Sequence, residues 1–367
     1  MLKQVSLNRI NTVLLFIALT TLILHFGKPL LIILIFSTLL AMLMTPIARK
    51  LEKWGVSETI AALLSVFLIV IIFAGVFFIV SAQIVAFRED LPQIQSKFEE
   101  VISAIQARVE KHFGISDEQQ AAAFKEQLKN SASKAGNFFT GFLTGVGSLI
   151  GGIIMMLVFT FLFLLQRSKF EKFILKLVRD DKQKEGSKVI GNIANIAQQY
   201  LKGRVISITI QGIFYTIGFL VLGLKNAILL AAIAALLSFI PYLGPLIGGM
   251  LPLFMAIVTE DSLGTALGVL IILVIAQAID NYFIEPLVVG GSVNISPFFS
   301  IFILILGGTV WGIAGVILFL PMLAIVKIIL ENVEGMEPYA YLIGDQKKSS
   351  SIDKLWTKVK KIFKGGK

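Results

Sequence analysis

The stretch Gln277–Pro297, QAIDNYFIEPLVVGGSVNISP, sets Asp280, Asn281 and Glu285 between two long hydrophobic runs, then interrupts the helix with Pro286, Gly290, Gly291 and Pro297. Carboxylates at membrane depth are costly, and they persist where they handle an ion, a proton or a substrate. Irregular backbone at that depth is tolerated where it is buried in protein or lines a wet cavity. The stretch therefore reads as a transport site within an all-α polytopic membrane protein.

The flanking segments agree. Residues 263–283 form a regular span upstream of the break, and Gln277 and Asn281 fall beside Asp280 at helical spacing. Two further segments, 226–258 and 298–330, are each about 33 residues of apolar sequence, beyond the roughly 20 that one crossing needs. The first is broken by Pro241-Tyr242-Leu243-Gly244-Pro245, and the second by Gly307-Gly308 and by Gly312 with Gly315. Each is either a kinked span, giving about eight hydrophobic segments in all, or a re-entrant hairpin. The hairpin path places Glu260-Asp261 outside and Glu285 near the cytoplasmic side; the kinked path reverses them. Paired broken segments of this kind mark transporter binding sites.

Composition supports the class. Hydrophobic residues make up 56% of the chain, charged residues 15%, and mean hydropathy is +0.86. No segment alternates apolar and polar residues as outer-membrane barrel strands do. The absence of cysteine removes disulfides, thiolate catalysis and cysteine zinc sites, and two scattered histidines form no metal cluster. No metal or other cofactor is expected. The net charge of +10 borders hydrophobic segments, where it orients helices and meets lipid headgroups, so nucleic acid is not the expected partner.

Five regions follow. Residues 1–85 hold three transmembrane helices: an uncleaved first segment at 10–27, a second at 30–48 joined to it by a hairpin at Gly27-Lys28-Pro29, and a third at 58–85. Residues 86–137 form a polar insert, with an apolar stripe from Leu91 to Phe113 that predicts an amphipathic helix. Residues 138–204 comprise a fourth span, opened by glycines suited to close helix packing, and a loop with ten Lys/Arg against four acids. The transport core occupies 205–330. Residues 331–367 end in SIDKLWTKVKKIFKGGK, the pattern of a basic helix lying on anionic lipid. The positive-inside rule places 49–57, 166–204 and both termini in the cytoplasm, and 86–137 outside.

Asp280 is the candidate coupling carboxylate, with Gln277 and Asn281 beside it. Glu285, one turn on and before Pro286, joins it with the carbonyls that the break frees. Pro241, Gly244, Pro245, Pro286, Gly307, Gly308, Gly312 and Gly315 shape the breaks. No phosphate-cradling loop, H-E-x-x-H or G-x-S-x-G pattern occurs, so neither nucleotide-driven pumping nor enzymatic hydrolysis is expected.

The ordered set Ile240-Pro-Tyr-Leu-Gly-Pro245, Asp280 to Pro286, Val293 to Pro297, Gly307-Gly308 with Gly312 and Gly315, and Pro321 resembles the AI-2E family of bacterial transporters. The resemblance covers nearly the whole chain. It implies an inner-membrane, homo-oligomeric exporter of small molecules; members are linked to autoinducer-2 and others to sodium or lithium exchange for protons. The sequence thus predicts a secondary transporter exporting a small solute or ion, driven by an ion gradient. A Na+(Li+)/H+ antiporter, a passive oligomeric channel and a membrane scaffold are the other readings.

Overall fold

The computed structural model describes residues 7–113, 151–240, 243–259, 263–289 and 295–345, which are almost wholly helical. Among them, five helices are long and apolar enough to cross a membrane, or six if one bent pair is a single span. The chain is therefore a multi-pass helical membrane protein, with shorter apolar helices beside these spans among the described residues.

Helices α1 (Leu7–Phe26) and α2 (Lys28–Lys53) meet at Gly27. The Gly27 amide donates to the Ile23 carbonyl and the Leu31 amide to the Gly27 carbonyl, both at 2.8 Å, and Gly27 keeps a helical φ of −78°. The expected hairpin is thus a bend. Pro29 stands in the first turn of α2, where its fixed φ suits a helix and its missing N–H matters least. The expectation that the N-terminus shares a face with residues 49–57 rested on a reversal here, and loses that support.

Helix α3 (Glu58–Phe113) runs unbroken for 56 residues, roughly 84 Å at 1.5 Å per residue. Its apolar part, Glu58–Gln83, suffices for the bilayer, and residues 86–113 of the predicted insert continue the same helix. The rest of that insert, and the glycines at 141, 145 and 147, lie outside the described residues. Lys97 ties the extension to the core by donating to the Thr259 carbonyl at 3.1 Å. Helix α4 (Gly151–Leu165) bends by 66° into α5 (Arg167–Lys176). The Arg167 guanidinium grips both oxygens of Glu52 at 2.5–2.6 Å, fixing this elbow to the end of α2.

The basic stretch at 166–204 is not a loop but α5, a 3-10 turn (Asp180–Lys182) and the first half of α6 (Gln183–Val221). Helix α9 (Leu263–Ile279) lies antiparallel to α6, with Gly218 against Ile272 and Gly268 against Leu222. A π-helical stretch, Asp280–Val289, follows it directly.

Both overlong segments are helical hairpins. In the first, α7 (Ala227–Leu237) folds back on α8 (Leu243–Thr259). Their approach is so close that a Cβ on Gly244 would sit 1.9 Å from the Leu237 carbonyl oxygen. In the second, α10 (Pro297–Trp311) and α11 (Ile313–Glu331) reverse at Gly312, whose φ of +63° favours glycine. Gly307 and Gly315 touch backbone to backbone across this pair. The Trp311 indole donates to the Leu24 carbonyl at 2.9 Å, seating the second tip at the α1–α2 bend.

The hairpins open at opposite ends of α6. The first leaves its C-terminal end; the second ends where Glu334 pairs with Lys182 near its N-terminal end. That ammonium holds the Glu334 carboxyl below the usual carboxylate range. Helix α12 (Glu337–Ile343) closes this end, the Ser296 amide donating to the Ile343 carbonyl at 2.9 Å. At 11 residues α7 is roughly 16 Å long, about half of the bilayer's roughly 30 Å core. Its tip therefore stops within the protein. The basic tail beyond 345 lies outside the described residues.

Candidate functional site

Inside its apolar sequence α6 carries Tyr200, Arg204, Ser207, Gln211 and Tyr215, in steps of four, three, four and four. That spacing puts all five on one helical face. Four of them are buried and Arg204 is half-buried. The face meets the junction of α9 with the π-helical stretch, where Asp280 is only 5% exposed. The Ser207 hydroxyl donates to Asp280 Oδ1, satisfying a carboxylate that would otherwise be desolvated without a partner. Two turns higher, the Tyr215 phenol pairs with the Ser238 side chain at the tip of the α7–α8 hairpin. Ser238 donates to the Ala234 carbonyl at 2.9 Å, which leaves its oxygen to accept from Tyr215.

Tyr200, Arg204, Tyr215, Ser238 and Asp280 border a cleft of about 700 Å³ between α6, α8, α9, the first tip and the start of α10. Of the residues expected from sequence, Gln277, Asp280 and Asn281 all line it, and the Gln277 amide donates to Asn281 Oδ1 at 2.8 Å. Pro245 borders it as well. Glu285 falls within the π-helical stretch, but its side chain, like that of Pro286, lies outside the described residues, as does Pro241. Gly307, Gly308, Gly312 and Gly315 serve the second hairpin and do not line the cleft. No group of three or more His, Asp or Glu side chains capable of holding a metal occurs among the described residues.

Sequence reasoning missed Arg204, Tyr200, Ser238 and Ser300 as cleft residues, and Ser207 as the partner that holds Asp280. Arg204 counted there only as an orienting charge. The signal for the α6 members was the polar step of three or four within an apolar run. The cleft is otherwise apolar, with Leu246, Met250 and Leu253 on α8 facing Leu270, Leu273 and Val274 on α9. It offers a hydrophobic wall and a polar floor that holds one carboxylate and one guanidinium. Such a chamber suits a small solute.

A multi-pass helical protein whose polar cleft is enclosed by broken apolar segments belongs to the class of membrane transporters. The chain is a member of the AI-2E family of transporters, whose family model matches residues 14–335. It is 27% identical over 311 residues to the Bacillus subtilis protein named "Putative transport protein YueF", covering 80% of this chain and 82% of that one. It is also similar to "AI-2 transport protein TqsA" of Escherichia coli K12, at 22% identity over 332 residues, 88% of this chain and 92% of the relative. The family is one of transporters.

Proposed function

We propose that this protein is a secondary transporter of the cytoplasmic membrane, exporting a small organic solute at the expense of an ion gradient, with Asp280 as the coupling carboxylate. The observation that carries the reading is Asp280 itself, buried at the floor of the cleft and held by Ser207. A carboxylate kept at membrane depth marks an ion or proton pathway, which supports Asp280 as the group that couples the gradient to the contents of the chamber. Cleft size supports an organic cargo. Small-molecule sites occupy about 300–1,000 Å³, far more than a dehydrated alkali cation fills. The positive-inside rule sets the basic start of α6 and the end of α11 on the cytoplasmic side, which makes the first hairpin enter from outside and the second from inside.

The test is flux in proteoliposomes that hold purified protein, a lumenal pH dye and a preset acid-inside gradient. Asp280→Asn is expected to lower gradient-coupled flux at least tenfold while the protein stays folded and inserted. Unchanged coupling in that variant removes Asp280 from the mechanism. Lumenal alkalinisation on adding sodium or lithium alone would replace organic export by cation–proton antiport, and solute movement that never runs uphill would reduce the protein to a channel.

A further inference from the structure

Arg204 stands in the cleft with nothing to hold. Its guanidinium makes no hydrogen bond or ion pair among the described residues, and its Nε is buried without a partner. A guanidinium has five N–H donors and no acceptor, and it cannot shed its charge. Within a membrane such a group is expensive unless something answers it. Asp280 lines the same cleft but is not in ion-pair contact with Arg204, being engaged by Ser207 instead. Ser207 and Arg204 lie one helical turn apart, so the acid and the base are kept side by side and separate. The Gln277 Oε1 atom, also buried and unpartnered, adds an acceptor on the same floor. Above them stands the apolar wall of α8 and α9.

Resting on the transporter reading, we propose that Arg204 recognises the cargo and binds an oxyanion, a carboxylate or phosphate-type group, of a solute whose apolar body lies against Leu246, Met250, Leu270 and Leu273. A guanidinium meets such a group through two parallel N–H···O bonds, the strongest contact the lining of this pocket can offer an anion. The division of labour is then plain. Arg204 selects, Asp280 couples, and the α8–α9 wall takes the remainder of the molecule.

Equilibrium binding separates this assignment from the coupling role, because it needs no gradient. Calorimetry on the full chain in lipid nanodiscs would compare phenylacetate and phenylphosphonate with the neutral isostere phenylacetamide. Wild type is expected to bind at least one of the anions tenfold or more tightly than the amide. Arg204→Gln should erase that preference, and Arg204→Lys should keep part of it, which also guards against a folding defect in the glutamine variant. Asp280→Asn should retain the preference while losing coupled flux. Equal or absent binding of anions and amide in wild type, or an undiminished preference in Arg204→Gln, would overturn the assignment without touching Asp280. Coupled flux that survives in Asp280→Asn, with the Arg204 dependence intact, would sink the coupling role alone.

Discussion

Ser207 and Asp280 are 73 positions apart in the chain and share one hydrogen bond at the floor of the cleft. A hydrogen bond to a charged group contributes about 1.5–3 kcal/mol, and its loss leaves that carboxylate oxygen unmet by the protein. Ser207→Ala should therefore lower the melting temperature of the detergent-solubilised protein and reduce coupled flux severalfold. Ser207→Thr, which keeps the hydroxyl, should restore both. A variant with intact stability and flux would show that the pairing is incidental. The pair also explains what sequence could disclose. Gln277, Asp280 and Asn281 were legible because they are neighbours along one helix. Ser207 and Arg204 were not, because their meaning depends on which face of α6 turns towards α9, a matter of packing between distant segments.

At the scale of elements, the breaks were legible and their geometry was not. Proline and glycine announce that a helix stops, but not whether the chain bends or reverses. At Gly27-Lys28-Pro29 it bends, because proline in a first turn is compatible with helix. Between α7 and α8 and at Gly312 it reverses, because a glycine on each returning helix lets the two backbones touch. Gly244→Ala tests the first reversal. Its new Cβ would fall 1.9 Å from the Leu237 carbonyl oxygen, so the hairpin must open. Overpacking against side chains costs about 1–3 kcal/mol, and fixed backbone yields less readily. The variant should melt well below wild type and lose flux; an unchanged melt would mean that the hairpin is loosely held. At α3 and α6 charged sequence adjoins an apolar span, and the helix expected from Leu91 to Phe113 is present as the extension of α3. Both charged stretches are helical continuations of apolar spans, since helix periodicity does not end where hydrophobicity does.

For the whole molecule, the two hairpins open towards opposite ends of α6, which gives the protein a face for each. The chain has no cysteine, so single cysteines report without background. Lys225→Cys, between α6 and α7, should react in intact cells with a maleimide that cannot cross the membrane. Glu334→Cys, after α11, should react only once the cells are permeabilised. Labelling of both from one side would contradict hairpins of opposite entry.

The shortness of α7 has a consequence for electrical behaviour. A cleft that holds water down to Asp280 carries the potential of its own compartment, so the membrane voltage falls across what separates Asp280 from the other side. Moving one elementary charge through the full voltage is worth about 2.3 kcal/mol per 100 mV. A charge crossing that remainder meets the voltage over less than the full bilayer. The transport step is thereby exposed to the cell's electrical state, and a charged cargo bound at Arg204 would be driven by voltage as well as by concentration.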